Sequence, residues 1–188
     1  MNDREYFDSV AYKWDSMISH NSVNINALLD NLPSLSGARV LDVGSGTGVL
    51  IPYLLQRNAA SITALDISAN MLSISAAKHS HPAVRFVCED ALEFKDGQYD
   101  AVLCYSMFPH FSDQQKAILH LSTLLSVRGC LAVMHSQSRD AINALHGGMQ
   151  SRPRLPESTQ INHFLSLAGL IPRPAVDSDI FLCSGIKI

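Results

Sequence analysis

Residues 40–48 read Val40-Leu41-Asp42-Val43-Gly44-Ser45-Gly46-Thr47-Gly48, and Val49 and Leu50 follow as the first apolar residues of the next segment. An apolar, β-rich run that ends in alternating glycines and passes into helix-compatible sequence is a strand–turn–helix unit. Glycines have no Cβ, so they permit a tight turn and let a ligand approach the backbone. The free N–H groups of the next helix then point toward that ligand. A nucleotide-type ligand is expected at such a turn.

Outward from this unit, further β-rich runs lie at 61–65, 84–88, 101–105 and 130–135, each bounded by polar or turn residues. Ile25, Leu28, Leu29 and Leu32 keep the spacing of one helix face, as do Ile161, Phe164, Leu165 and Ala168. Strands alternating with helices predict an α/β fold: a single doubly wound, mostly parallel sheet with helices on both faces. Residues 180–188, preceded by Pro172 and Pro174, predict a closing strand or hairpin. Ahead of the first strand, Phe7, Val10, Ala11 and Trp14, followed by Met17, share a helical face. That stretch reads either as a helical lid over a cleft or as a helix packed permanently on the sheet.

The 188 residues are 47% hydrophobic and 16% charged, the balance of a chain that folds around a core. One domain of this length buries on the order of 70% of its unfolded surface and needs no disulfide or structural metal. Fourteen Lys and Arg against 17 Asp and Glu give a net charge of −3, a poor match to a polyanion, so no nucleic-acid partner is expected. The most basic stretch, Arg152-Pro153-Arg154, reads as a solvated loop. Cys88, Cys104, Cys130 and Cys183 form no C-x-x-C pair and are expected to be buried, reduced thiols. The first residues, Met-Asn-Asp-Arg-Glu, lack the apolar run of a secretory signal, and no stretch reaches the roughly 18 apolar residues that span a bilayer. The expectation is a cytoplasmic protein with no membrane partner.

Asp66 ends the second strand 18 residues after Gly48, near the roughly 20 expected of a ribose-binding acid. Asp90 follows the third strand and is succeeded by Ala91. Asp42, Asp66 and Asp90 therefore sit at the carboxyl ends of successive strands, where open α/β sheets bind ligands. Charge selects among nucleotides. Asp42 lies two residues before Gly44 and would repel a pyrophosphate, whereas it would favour the amino group and sulfonium of S-adenosylmethionine. Val49 also stands where the dinucleotide fingerprint requires glycine or alanine.

Residues Leu41 to Gly48 resemble the first motif of the class I S-adenosylmethionine-dependent methyltransferases. Leu65-Asp66-Ile67-Ser68 with Asn70-Met71-Leu72 is similar to the second motif, whose acid holds the ribose and whose next residue, here Ile67, packs on adenine. Asp90-Ala91 looks like the third, which reads the adenine edge. Tyr99-Asp100-Ala101-Val102 and residues 124–133 around Gly129 complete a pattern over about residues 36–135. The resemblance implies a Rossmann-like domain over residues 1–188, with a helical lid at 1–35, a donor-binding core at 36–135 and an acceptor-side segment at 136–188. It implies S-adenosylmethionine held by Asp42, Gly44, Ser45, Gly46, Asp66, Ile67, Met71, Asp90, Ala91 and Tyr105.

Methyl transfer is an in-line displacement in which placing the reactants supplies about 7–11 kcal/mol, and a positioned base adds roughly 10²–10⁴-fold. Candidate catalytic residues are His110, His135 and His146. His135 ends an apolar strand, and Arg139, Asn143 and His146 follow at spacings of four, four and three, one helical face suited to an anionic acceptor or a base. His79, His81 and His120 are expected on loops or exposed faces. No local ligand spacing supports a metal. Tyr12 and Trp14, with Phe7, resemble the aromatic lid of small-molecule methyltransferases and are expected to touch the acceptor. Ser106-Met107-Phe108-Pro109 is not the Asn-Pro-Pro-Tyr sequence of amide and adenine-amino methyltransferases. A small-molecule acceptor is therefore expected, and homodimer formation stays open. The alternatives are a nicotinamide-dependent oxidoreductase and a non-catalytic S-adenosylmethionine-binding module.

Overall fold

The computed structural model describes residues 2–145 and 154–188. Strands β1 (Arg39–Val43), β2 (Ser61–Asp66), β3 (Val84–Cys88), β4 (Tyr99–Tyr105) and β5 (Leu125–His135) run parallel. Strand β8 (Phe181–Lys187) returns antiparallel beside β5, paired along Cys130–His135, and β6 (Leu170–Pro172) and β7 (Val176–Asp177) each pair antiparallel with β8. The sheet order is β3-β2-β1-β4-β5-β8-β6, with β7 beside β8. The α/β architecture is the one expected, and the anticipated closing strand is a long, mostly buried member of the sheet.

Helices α1 (Asp3–Val10), α2 (Trp14–Met17), α3 (Ser22–Asp30), α4 (Ile51–Gln56), α5 (Ala69–Lys78), α6 (Gln114–Thr123), α7 (Arg139–Leu145) and α8 (Ser158–Leu167) surround it. Side-chain alternation divides the core in two. Val40, Leu103 and Met134 pack with Ile25 and Leu28 of α3 and Leu54 of α4, while Leu41, Val102 and Leu131 pack with Ile118 of α6 and Ile161 of α8. Because both faces are covered, these strands read as continuous apolar runs.

Two strands are longer than their apolar runs. In β5 the added residues Ser126 to Arg128 are partly or fully exposed, and the register with β4 shifts between Tyr99 and Ala101, a bulge that breaks the apolar pattern. Cys104, Cys130 and Cys183 are buried, which pushes each thiol up. Cys88 departs from expectation: it closes the edge strand β3 and is exposed. Likewise His120 is not on an exposed face, since its Nε2 lies 2.9 Å from the Phe94 carbonyl oxygen. Among the described residues no helix is long and apolar enough to cross a membrane. His146, Arg152 and Pro153 lie outside the described residues.

The N-terminal segment is not one continuous helix. Asn2 and Glu5 cap α1 reciprocally, and a 3₁₀ turn at Ala11–Lys13 then interrupts the α period before α2. That change of pitch keeps Phe7 and Trp14 in edge contact at 5.6 Å, buries Ala11 and turns Tyr12 outward. Tyr12 is 72% exposed, with the Lys13 ammonium 5.2 Å from its ring centre.

Candidate active site

Between β1 and β4 the strand order reverses, so the crevice lies at the carboxyl ends of these strands. Gly44 opens the turn there with φ +65°, a conformation that costs a side chain strain, and a Cβ on it would fall 2.9 Å from the Met107 side chain. The Ser45 N–H donates to the Leu65 carbonyl at 3.0 Å, and the Gly46 N–H donates to Asp66 Oδ2 at 2.8 Å. Asp66 Oδ1 accepts from the Ser68 N–H at 2.8 Å, while the Ser68 hydroxyl caps α5 by accepting from Met71. One carboxylate thus orders both the glycine turn and the start of α5. Burial pushes the Asp66 carboxyl up, against the pull of these backbone N–H groups. Asp90 Oδ1 accepts from the Leu92 N–H at 2.9 Å and caps the turn after β3.

These elements form one wall of a cavity of about 800 Å³, within the roughly 300–1,000 Å³ of small-molecule sites. Gly44, Ser45, Gly46, Asp66, Ile67, Met71, Asp90, Ala91 and Tyr105 all line it. So do Trp14, His110 and His135. His110 stands edge-on to Phe7 at 5.1 Å and His135 to Phe181 at 6.4 Å.

Four expected residues are placed otherwise. Tyr12, Arg139 and Asn143 are outside the cavity. The Arg139 guanidinium lies 3.5–3.9 Å from Asp140, Glu157 and Asp177, and Asn143 exchanges hydrogen bonds with the Leu155 backbone at 3.0 and 2.8 Å. The polar face of α7 therefore turns to the segment before α8, and Arg139 is not placed to receive an anionic acceptor in the cavity. Asp42 is buried and does not line the cavity either, and its Oδ2 has no hydrogen-bond partner among the described residues. Burial, and secondarily Asp66, pushes its carboxyl up to about 8. Its full negative charge, expected beside the turn, develops at neutral pH only if a cation comes near.

The cavity also contains a residue that no sequence pattern marked. His20, between α2 and α3, has Nδ1 2.9 Å from the Tyr105 hydroxyl, which lies 2.9 Å from Ser136 Oγ. Burial lowers the His20 imidazole from its ordinary value and raises the Tyr105 phenol. Two carboxylates fasten the segment before His20 to the core. Asp8 accepts from the Ser68 hydroxyl at 2.5 Å and the Asn70 N–H at 3.2 Å. Asp15 accepts from the Thr47 hydroxyl at 2.5 Å and from Lys78 at 2.8 Å. The bond from Ser68 holds Asp8 low, and at Asp15 the bonds from Lys78 and Thr47 outweigh burial.

A methyltransferase-domain family profile matches residues 41–133, spanning β1 through most of β5. Over 131 residues the chain is 34% identical to the malonyl-[acyl-carrier protein] O-methyltransferase of Acetivibrio thermocellus, covering 68% of this chain and 46% of that one. The chain belongs to the class I S-adenosylmethionine-dependent methyltransferases. Membership sets aside the nicotinamide-dependent alternative. The ubiquinone biosynthesis O-methyltransferase of Chromobacterium violaceum is 27% identical over 81% of this methyltransferase-family chain and 71% of its own length. The magnesium protoporphyrin IX methyltransferase of Synechocystis PCC 6803, solved with bound S-adenosylhomocysteine, shares the fold with a TM-score of 0.75 at 20% identity, over 98% of this chain and 97% of that one. The chain spans about half the length of the first curated relatives it matches.

The family's donor, S-adenosylmethionine, fits the residues present. A buried carboxyl oxygen of Asp42 lacks a partner, Asp66 keeps lone pairs beyond its two backbone bonds, and Ile67 and Met71 supply apolar wall. Trp14, the single tryptophan, has its Nε1 3.9 Å from where a Cβ on Gly46 would stand. Donor binding is therefore expected to change tryptophan emission. Asp15→Asn removes a charged partner of both Lys78 and Thr47 and is expected to speed amide exchange in residues 3–17 by about tenfold with little change in global melting. Hydrogen-exchange mass spectrometry checks this.

Proposed function

We propose that this chain transfers a methyl group from S-adenosylmethionine to a small-molecule acceptor held in the same cavity. The observation that carries the reading is convergence: the glycine turn after β1, the acid ending β2 and the acid after β3 line one wall, while an aromatic N-terminal segment and His110 line the same enclosure. The relative named for ubiquinone biosynthesis supports a metabolite-type acceptor, while the one named for malonyl-[acyl-carrier protein] acts on a group carried by a protein. In this reading Asp66 accepts from the ribose hydroxyls, Ile67 packs on adenine and Asp90 with Ala91 reads its edge. The sulfonium supplies an electrophilic methyl group. The chain's contribution is to place the acceptor in line with it, on the order of 7–11 kcal/mol.

Titration calorimetry with S-adenosylmethionine, S-adenosylhomocysteine and NAD tests the donor step. Binding of the first two and not of NAD is expected. Undetectable binding of both sulfur compounds at millimolar concentration in folded protein would defeat the proposal. Donor binding with no methylated product from any acceptor would leave a non-catalytic binding module.

A further inference from the structure

Charge is distributed unevenly over the cavity. The acids Asp3, Asp66, Glu89 and Asp90 line it, with the imidazoles of His20, His110 and His135 and a larger set of apolar side chains that includes Phe7 and Ile142. Among the described lining residues the single Lys or Arg is Arg4, exposed in the first turn of α1. Arg139 is directed to Asp140, Glu157 and Asp177. A carboxylate or phosphate on the acceptor would be desolvated in a cavity lined by four acids and by no buried Lys or Arg, which is costly.

Into this cavity opens a continuous chain of polar groups. Ser136 Oγ, the Tyr105 hydroxyl and His20 Nδ1 follow one another at 2.9 Å each, and all three residues line the cavity. Tyr105 and Ser136 are buried and His20 is half-buried. A phenol has one proton, so the chain has two wirings. In one, His20 donates from Nδ1 to Tyr105, which donates to Ser136. In the other, Ser136 donates to Tyr105, which donates to His20 Nδ1, and the Ser136 oxygen is then ready to accept from a ligand. The second wiring carries a proton from a ligand at Ser136 to His20.

We infer that the cavity holds, beside Ser136, a subsite for an uncharged acceptor carrying a weakly acidic O–H group, and that this proton leaves through Ser136 and Tyr105 to His20. The inference rests on the methyl-transfer reading for the word acceptor, not for the subsite or the chain. In the step, the acceptor O–H bond breaks and its electron pair stays on the acceptor oxygen, the future nucleophile. The acceptor proton passes to Ser136, the Ser136 proton to Tyr105 and the Tyr105 proton to Nδ1, leaving one imidazolium. Three groups face that imidazole: Tyr105 from β4, Asp15 from α2, which favours the cation, and Lys78 from α5, which opposes it. Burial is the larger influence and keeps His20 neutral, hence able to receive. His20 and Tyr105 act through Ser136 and are positioning and relay groups; Ser136 is the one that would touch the acceptor.

The probes are 2-naphthol and 2-naphthoate, matched in frame and different in charge, added to the protein saturated with S-adenosylhomocysteine. Naphthol is expected to bind at least about tenfold more tightly than naphthoate by equilibrium dialysis, the factor set by desolvating an unpaired carboxylate. Bound naphthol should also shift the ¹⁵N imidazole signals of His20. In Tyr105→Phe and, as a second interruption, Ser136→Ala, the shift should vanish while naphthol affinity stays within about threefold, since only one polar contact is lost. Equal or tighter binding of naphthoate, binding of neither probe, an unmoved His20 signal in the wild type, or a persistent shift in both variants each overturns the inference. If S-adenosylhomocysteine itself does not bind, the methyl-transfer reading fails separately and the probes are measured without it.

Discussion

Asp66→Ala is expected to weaken binding of S-adenosylmethionine and S-adenosylhomocysteine by about 100-fold, because charge-assisted hydrogen bonds contribute about 1.5–3 kcal/mol each and two ribose hydroxyls lose their acceptor. The same substitution removes the partner of the Gly46 and Ser68 N–H groups. Losing those bonds costs on the order of 1–3 kcal/mol of stability, which urea unfolding would register. The two effects are separable. Asp66→Asn keeps one accepting oxygen but turns its NH2 onto the other backbone N–H, so it is expected to recover part of the stability at most and not the affinity. Asp90→Ala removes only the cap on Leu92 from the protein's own bonds and should unfold close to the wild-type midpoint. An Asp66→Ala protein that binds S-adenosylhomocysteine as the wild type does would remove Asp66 from the ribose-holding role and leave it a fastener of the glycine turn.

That dual duty explains which parts of the site were legible in the sequence. Gly44, Gly46, Asp66 and Asp90 are tied to strand ends, and a strand end has a fixed place in a doubly wound sheet, so local spacing specifies their meeting point. Residues attached to irregular backbone carry no such guarantee. Tyr12 and Trp14 look equivalent as aromatics near one helical stripe, but the 3₁₀ turn at Ala11–Lys13 rotates one outward and leaves the other at the cavity. Arg139 and Asn143 do share α7, yet helical spacing does not say which neighbour that face meets. Here it meets Glu157 and the Leu155 backbone. His20 is a lone histidine between helices with no periodicity to mark it, and its significance arises from a contact with Tyr105 across 85 residues of chain. The bulge opposite Tyr99 likewise hides the first half of β5, because exposed Val127 and Arg128 interrupt the apolar run.

Asp42 supplies the second large effect, through pH. Its carboxyl is pushed up to about 8 from an ordinary 3.8, chiefly by burial and then by Asp66. The folded value lies above the unfolded one, so between about pH 4 and pH 8 the folded protein holds a proton that the unfolded chain has released. Stability from this group is fully present below pH 4 and declines as pH rises toward 8, by on the order of 4 kcal/mol at pH 7. Asp42→Asn removes that slope. Its unfolding midpoint is expected to match the wild type near pH 4 and to exceed it at pH 7 to 8. Donor binding runs in the opposite sense. A cation brought near Asp42 favours the carboxylate, so binding below pH 8 should release up to one proton, and affinity should rise by up to about tenfold per pH unit before levelling near 8. Calorimetry in buffers of different ionisation enthalpy counts the proton, and comparing S-adenosylmethionine with S-adenosylhomocysteine separates the sulfonium charge from the amino charge. In Asp42→Asn the release should disappear and affinity should be flat with pH. If the wild type binds the donor with no proton release and no change in affinity from pH 6 to 8, the positive charge of the ligand does not reach Asp42. The electrostatic reason for preferring a sulfonium over a pyrophosphate at this turn would then be lost.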